Sequence, residues 1–202
     1  MVQETKPIKR RTTIRSINTR RTNDFIYGDD DMRILSFDIS ASPGVAVLEL
    51  SKGKPKLIAV DHLETNSGYT DAQRFAVIES FVTNFVYNYG DFDIAVREKF
   101  IKGGSKRGTQ LVFGAWASVD RALATFDYAI PAENEIVASM VKRLIGGHGG
   151  AGKDDVAEGV IRILGEEVRS KLFTERGRLL DDRADAVAIG LAWAIQKGMI
   201  IG

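Results

Sequence analysis

Three apolar segments typical of β-strands follow one another near the start of the chain, with only short turns between them. They are Arg33–Ser40, Gly44–Leu50 and Lys56–His62, and the turns that join them carry glycine and proline. Strands joined so closely pair in antiparallel fashion, because a parallel pair needs a crossover of about a dozen residues or more. The sequence therefore predicts that the domain begins with an antiparallel three-stranded meander.

The chain then alternates between helical and strand-like segments. A helix at Asp71–Tyr89 is indicated by apolar residues that recur at helical spacing, and the strand Phe92–Glu98 follows it. A second helix is predicted at Thr109–Thr125 and a short strand at Asp127–Pro131. Helical crossovers return the chain in the same direction, so these later strands should run parallel. The remaining predicted helical regions are Glu133–Leu144, Lys153–Leu172 and Asp181–Lys197. The predicted fold is an α/β domain with a mixed five-stranded sheet flanked by helices.

The residues before this domain differ from it in composition. They are rich in lysine and arginine, with Glu4 as the single acid among the first 23 residues. Few of them are apolar, so we expect residues 1–31 to be a basic, disordered arm and residues 32–202 to form one domain. The arm could bind phosphates, could be a solvated tail, or could be a mitochondrial transit peptide.

Composition excludes several classes of site and protein. The 202 residues include no cysteine, which excludes disulfides, zinc–thiolate centres and cysteine nucleophiles. No apolar run approaches the ~20 residues that a membrane-spanning helix needs, so we expect no membrane association. The formal net charge is only +1, so the overall charge does not by itself indicate a nucleic-acid partner.

Four carboxylates occupy positions where acids are uncommon. Asp38 lies inside an apolar strand, Glu98 ends another, and Asp182 and Asp185 share one face of an otherwise apolar helix. A carboxylate in such surroundings is costly unless it is paired or binds a cation. If the first and fourth strands are neighbours and the last helix crosses them, all four acids converge. Hard divalent ions such as Mg²⁺ prefer oxygen ligands, and two such ions could drive phosphodiester hydrolysis by water.

Each acid also has an ordinary structural interpretation. Asp182 or its neighbour Asp181 could cap the last helix and interact with its dipole. The carboxyl of Asp38 could hydrogen-bond the turn that follows it, and Glu98 could pair with an adjacent basic residue. Taken singly, each of these interpretations is at least as well supported as a catalytic role. A strand Asp, a strand-end Glu and a helical D-x-x-D in this order are much less expected by chance.

Three segments of the sequence resemble the RuvC family of Holliday junction resolvases, within the RNase H-like superfamily. They are ILSFDISASPGVAVLEL, DIAVREKF and DDRADAVAIGLAWA. The family carries an Asp on its first strand, a Glu ending its fourth and a D-x-x-D at the start of its last helix. The resemblance implies that Asp38, Glu98, Asp182 and Asp185 are catalytic acids that bind Mg²⁺ or Mn²⁺, two ions per site.

The same resemblance implies the activity and the partners. We expect a metal-dependent structure-specific endonuclease that resolves Holliday junctions and other branched DNA in recombination and repair. It would act as a homodimer, because a symmetric junction needs two paired cuts. The longer turn between Asp38 and Pro43 is similar to that of phage-encoded relatives. The expected location is the cytosol of a bacterium or of a phage-infected host, with the mitochondrial matrix as the less favoured alternative.

Two lysines flank a glycine-rich loop at residues 146–152. Lys142 and Lys153 match basic positions of the family and would contact phosphates near the cut, although either could be an ordinary solvated lysine. The loop also resembles a nucleotide-binding pattern, but Asp154 stands where serine or threonine would bind Mg²⁺. We therefore do not expect ATP binding.

A second basic loop is predicted at Lys99–Gly108, directly after Glu98. Its basic and aromatic residues are Lys99, Phe100, Lys102, Lys106 and Arg107. Charge beside an aromatic ring suits contact with DNA, whereas the simpler interpretation is a flexible solvated loop. The family has an aromatic residue three positions after the Glu and this chain has Phe100 two positions after it, so a role for Phe100 as a junction wedge stays open.

Two other functions remain possible on the sequence alone. The same chemistry could act on forks, flaps or RNA–DNA hybrids. The chain could also be a junction-binding module without catalytic activity, although its four intact acids disfavour that alternative.

Overall fold

The computed structural model describes residues 31–100 and 105–201. The predicted basic arm lies outside the described residues except for Asp31, and Lys102 also lies outside them. Five strands form one sheet in the order β3-β2-β1-β4-β5. Their bounds are β1 Met32–Asp38, β2 Gly44–Ser51, β3 Lys54–His62, β4 Ile94–Glu98 and β5 Glu135–Ile136.

The first three strands are antiparallel, whereas β4 pairs with β1 and β5 pairs with β4 in parallel. The predicted mixed five-stranded sheet is therefore confirmed. The helices are α1 Asp71–Tyr89, α2 Lys106–Ala124, α3 Ala138–Ile145, α4 Lys153–Leu164, α5 Arg169–Leu172 and α6 Asp181–Gln196.

The sheet separates two apolar cores because side chains alternate along each strand. In β1, Leu35 and Phe37 pack with α1 and α2 on one face. Ile34 lies on the opposite face, where α3, α4 and α6 supply most of the core. Helices thus cover both faces of the sheet. A functional site is therefore expected at the ends of the strands, where polar residues lie.

Helix α6 packs closely against the centre of the sheet. The hydroxyl of Ser36 donates to the carbonyl oxygen of Ala186 at 2.8 Å. A Cβ placed on Gly190 would lie 2.9 Å from that same hydroxyl oxygen and 2.7 Å from Cδ1 of Leu48. Small residues therefore let the helix backbone approach β1 and β2, and this contact sets the axial position of α6 over the sheet.

The predicted strand at Asp127–Pro131 is wrong. Asp127 adopts a positive φ of 62° after α2, and the amide of Tyr128 donates back to the carbonyl of Leu123. The fifth strand comes later, at Glu135–Ile136, after a single 3-10 turn. A short apolar run does not by itself distinguish a strand from a buried connection, which explains the error.

Two helix starts also differ from the prediction. The helix predicted at Glu133–Leu144 begins at Ala138, because the residues before it form β5. The helix predicted from Thr109 begins at Lys106, because Ser105 caps it by accepting from the amide of Gly108 at 3.0 Å. Lys106 and Arg107 therefore lie in the first turn of α2. Within the described residues, no helix has the length and apolarity to cross a membrane.

Candidate active site

The parallel pairing of β1 and β4 brings the two sheet acids together. Phe37 pairs with Arg97, so Asp38 and Glu98 follow side by side where the two strands end. Asp38 emerges on the same face of the sheet as Ser36, which contacts α6. Both acids therefore lie at the sheet end over which the first turn of α6 passes.

A backbone contact brings the helical acids to this same end. Gly44 is the partner of Asp38 in the antiparallel β1–β2 pair. A Cβ placed on Gly44 would lie only 1.9 Å from the carbonyl oxygen of Asp182. The first turn of α6 carries Asp182 and is followed directly by Asp185, and it therefore touches the strand pair that carries Asp38. All four predicted acids lie at one end of the sheet.

The four carboxyl groups share one electrostatic environment. Burial raises the pKa of Asp38 well above its usual range, and the negative charges of Asp185, Glu98 and Asp182 raise it further. Burial likewise raises the pKa of Asp185 to about 6. The pKa of Glu98 is raised first by burial and then by Asp185. Burial also raises the pKa of Asp182. Without a cation, ionisation of these carboxyls is therefore more costly than that of exposed acids.

None of the four acids has a side-chain hydrogen bond or ion pair within the described ranges, whereas other acids close by do. Asp181 accepts from Nζ of Lys153 at 2.5 Å, and Glu135 accepts from Arg97 at 2.8 Å. The turn and ion-pair interpretations of these acids find no support among the described residues, whereas Asp181 and Asp182 do lie in the first turn of α6, where acids interact favourably with the helix dipole. Ser40 and not Asp38 bonds the following turn, and Arg97 pairs with Asp120 and Glu135 instead of Glu98. The N-cap of α6 is Leu180, which has no side-chain cap bond.

The donor chemistry of the cluster fits a hard divalent cation, because all four side chains offer carboxylate oxygens. Among residues 31–100 and 105–201, no three Asp, Glu or His side chains already lie close enough to hold a metal ion. Like charges repel, so uncompensated carboxylates stay apart. A bound cation would offset that repulsion and draw the side chains inward.

The two predicted lysines lie near the cluster, on the helices that flank the glycine-rich segment 146–152. Lys153 begins α4, and its positive charge lowers the pKa values of Asp38, Asp182 and Asp185. Lys142 lies in the last turn of α3, and its positive charge lowers the pKa values of Glu98 and Asp185. Both lysines therefore contribute positive potential at the edge of the acid cluster.

The other predicted DNA-binding residues differ in their surroundings. Lys99 is exposed directly after Glu98, and the ring of Phe100 packs 5.0 Å from that of Phe113, centroid to centroid. Arg107 instead forms a bidentate ion pair with Asp71, with distances of 2.5 and 2.6 Å. Lys99 and Phe100 thus adjoin the acid cluster, whereas Arg107 is engaged by α1.

The sequence analysis missed a polar group beside the helical acids. Nε of Arg183 donates to Nδ1 of His62 at 3.0 Å, and its NH2 group donates to Asp61 at 3.0 Å. His62 pairs with Gly44 across β2 and β3, and Gly44 lies against the backbone of Asp182, so this polar group lies beside the helical acids. Two features of the sequence could have predicted this contact. Arg183 stands inside the D-x-x-D, and the third strand of an antiparallel meander must end at the same end of the sheet as Asp38.

Comparison with known proteins identifies relatives over most of the chain. The crossover junction endodeoxyribonuclease RuvC of Synechococcus sp. (strain CC9902) is 30% identical over 167 residues, covering 82% of this chain and 100% of the relative. This chain belongs to the RuvC family. The RuvC of Prochlorococcus marinus (strain MIT 9313) is 29% identical with the same coverage. The family predicted from the three sequence segments is thereby confirmed.

The solved structures support the same fold. Thermus thermophilus RuvC in complex with a Holliday junction substrate matches with a TM-score of 0.67 at 22% identity. The match covers 83% of this chain and 97% of that chain. No family model matches the chain.

Proposed function

We propose that this RuvC-family protein is a divalent-metal-dependent endonuclease that resolves Holliday junctions and other branched DNA. The main support is the cluster of four carboxyls at one end of the sheet, Asp38, Glu98, Asp182 and Asp185, which have no ion-pair partner in the part of the chain that the structure describes. The relatives are named crossover junction endodeoxyribonucleases, and one structural neighbour was solved with a Holliday junction.

The four acids would hold two Mg²⁺ or Mn²⁺ ions. When bound, these ions supply an activated water and stabilise the leaving oxygen of the phosphodiester. Asp38 and Glu98 are fixed by the sheet, so they provide the rigid side of the site. Asp182, in the first turn of α6, and Asp185, directly after that turn, would close the site from the helix side.

Basic side chains would orient the DNA around the acids. Lys142 and Lys153 contribute positive potential to the cluster, so we assign them to phosphates beside the cut. Lys99 and Phe100 adjoin Glu98 and would contact the branch point. Lys106 lies exposed at the start of α2, whereas Arg107 would have to exchange Asp71 for a phosphate.

We infer further that the active species is a homodimer. A four-way junction has paired strands to be cut, and two copies related by a two-fold axis present two equivalent acid clusters. Light scattering coupled to size-exclusion chromatography, with and without junction DNA, tests this inference. A strictly monomeric protein in both conditions would contradict it.

The decisive experiment is cleavage of a synthetic four-way junction with Mg²⁺ or Mn²⁺, followed by mapping of the products. Linear duplex of the same sequence is the control substrate, and forks, flaps and RNA–DNA hybrids complete the panel. We expect metal-dependent paired nicks near the branch point of the junction. Preferential cutting of flaps or hybrids would change the substrate assignment. Junction binding without any metal-dependent cleavage would replace the proposal with a binding module.

A further inference from the structure

Arg183 joins three elements around the helical acid pair. Its guanidinium donates to Nδ1 of His62 at 3.0 Å, to Oδ1 of Asp61 at 3.0 Å and to the carbonyl oxygen of Lys171 at 3.3 Å. His62 and Asp61 end β3, Lys171 lies in α5, and Arg183 stands between the two acids of α6. The Arg183 side chain is 25% exposed, so most of it is held within these contacts.

The start of α6 is also restrained by backbone contacts and by one exposed ion pair. Leu180 provides no side-chain cap for the helix. Besides Arg183, the start of the helix is held by the contact with Gly44, by the amide of Leu180, which donates to the carbonyl oxygen of Leu172 at 2.8 Å, and by the ion pair of Lys153 with Asp181. The Lys153 pair is largely exposed, with 62% of the lysine side chain accessible, and exposed pairs restrain little.

We propose that Arg183 is a positioning residue, which fixes the first turn of α6 so that Asp182 and Asp185 face the two sheet acids. This role rests on the proposed nuclease function. The planar guanidinium reaches its three acceptors at once, which a lysine ammonium on a flexible stem does not reproduce. Because Nδ1 of His62 accepts from Arg183, the ring and the arginine orient each other.

A simpler role for Arg183 is to neutralise charge, since it pairs with Asp61 and stands between Asp182 and Asp185 in the sequence. The two roles predict different behaviour for Arg183→Lys, which keeps the positive charge but loses the planar guanidinium with its several N–H donors. If geometry matters, the lysine variant behaves like Arg183→Met. If charge alone matters, the lysine variant behaves like the unmodified protein.

The test compares Arg183→Met and Arg183→Lys with Arg178→Met as the matched control. Arg178 lies in the same neighbourhood, is 74% exposed, and approaches Glu64 only at 4.0 Å. Two readouts are taken: the Mn²⁺ concentration that half-saturates junction cleavage, and the Mn²⁺ concentration that raises the melting temperature without DNA. Both Arg183 variants should need about 10–100-fold more Mn²⁺, while Arg178→Met should not change. Junction binding without metal should stay within about twofold, because the phosphate-contacting lysines are untouched.

A second pair of variants keeps the test decisive if Arg183→Met folds poorly. His62→Asn retains an acceptor near Nδ1, whereas His62→Leu removes it. We expect His62→Asn to keep the Mn²⁺ requirement within a few-fold and His62→Leu to raise it as Arg183→Met does. Unchanged Mn²⁺ requirements in Arg183→Met or His62→Leu, or full function in Arg183→Lys, would overturn the positioning role. Failure of the unmodified protein to cut DNA would instead reject the proposed function, and the thermal readout would still test the positioning role.

Discussion

At the scale of single residues, the cost of burying carboxylates explains the chemistry of the site. The pKa of Asp38 is raised by burial and by three neighbouring acids, so its ionised form is unfavourable in the metal-free protein. The protein retains this unfavourable group at the point where Glu98, Asp182 and Asp185 also lie. A group that lowers stability and has no protein partner among the described residues is best explained by a ligand outside the chain.

Asp38→Asn should reduce metal-dependent cleavage by at least ~100-fold, because it removes a proposed metal ligand, and loss of a residue that only hydrogen-bonds such a ligand already lowers activity by about 10–100-fold. Junction affinity without metal should be kept, since a carboxylate contributes no favourable contact to phosphates. Single-turnover cleavage and gel-shift assays measure the two effects. Full cutting by Asp38→Asn would contradict the assignment.

Because the pKa of Asp185 is raised, the stability of the metal-free protein should depend on pH. The group moves from its ordinary 3.8 to about 6 on folding, so the folded state binds the proton more tightly. Its contribution to stability is therefore fully present below about pH 4 and is lost as pH rises through about 6. We expect about 1–3 kcal/mol between those limits. Urea unfolding at several pH values, in chelator, measures it.

Asp185→Asn is the control for this prediction, because an amide does not titrate. Its free energy of unfolding should vary less between pH 4 and pH 7 than that of the unmodified protein, by about the same 1–3 kcal/mol. Identical pH profiles for the two proteins would show that the Asp185 carboxyl is not perturbed as described. Mg²⁺ at neutral pH should restore stability to the unmodified protein only, by binding its folded state.

At the scale of elements, the site depends on how α6 lies across β1 and β2. The helix approaches because Gly44 and Gly190 leave room for backbone and for Ser36. The same close approach carries Asp182 to the end of β1. The packing of α6 on the sheet therefore also brings the acids together. A substitution that shifts α6 should lower both stability and cleavage.

Gly44→Ala is expected to push the first turn of α6 away from the sheet, because its Cβ would lie 1.9 Å from the carbonyl oxygen of Asp182. We expect a loss of about 1–3 kcal/mol in stability together with a large loss of cleavage. Gly149→Ala is the matched control, because no atom lies within 4 Å of its added Cβ. Wild-type cleavage by Gly44→Ala would show that the helix position does not matter.

Arg97, which precedes Glu98 on β4, connects this strand to β5 and to α2. Its guanidinium pairs with Asp120 and Glu135 and lies 3.8 Å from the ring centroid of Trp116. Arg97→Met should cost about 3–5 kcal/mol, because it leaves the little-exposed Glu135 carboxylate without its partner. Chemical denaturation measures the loss. Adding Glu135→Gln should recover part of it, and additive losses in the double variant would contradict this interpretation.

At the scale of the whole molecule, one end of the sheet carries the acids and the adjacent helices carry the lysines. The net charge of +1 therefore hides a local separation of charge that suits a metal–phosphate site. The division into a basic arm at residues 1–31 and a domain at residues 32–202 stays a prediction, since nearly all of the arm lies outside the described residues.

Removal of residues 1–31 should weaken junction binding and reduce its dependence on salt, because the arm's lysines and arginines would no longer displace counterions from DNA. Binding measured across a range of salt concentrations reports this slope. Cleavage chemistry at saturating DNA should be unchanged, since the four acids are retained. An unchanged slope would identify the arm as a solvated tail or a targeting segment.

Much of the fold could be predicted from the sequence because local patterns determine it. The meander, the first helix and the last helix follow from apolar periodicity and turn residues, which act over a few neighbouring positions. The unusual positions of Asp38, Glu98, Asp182 and Asp185 were visible for the same reason. The fifth strand was misplaced because a two-residue strand has no period to detect, and only its pairing with β4 defines it.

The Arg183 contacts and the register of α6 were decided by tertiary structure alone. His62 and Arg183 are 121 positions apart, and nothing local in either segment indicates that their side chains meet. Strand pairing brings His62 opposite Gly44, and close packing then brings α6 onto Gly44. The chain's local chemistry therefore determined which acids were available for a metal site. Long-range packing decided their arrangement, because only contacts between distant segments fix distances and directions in space.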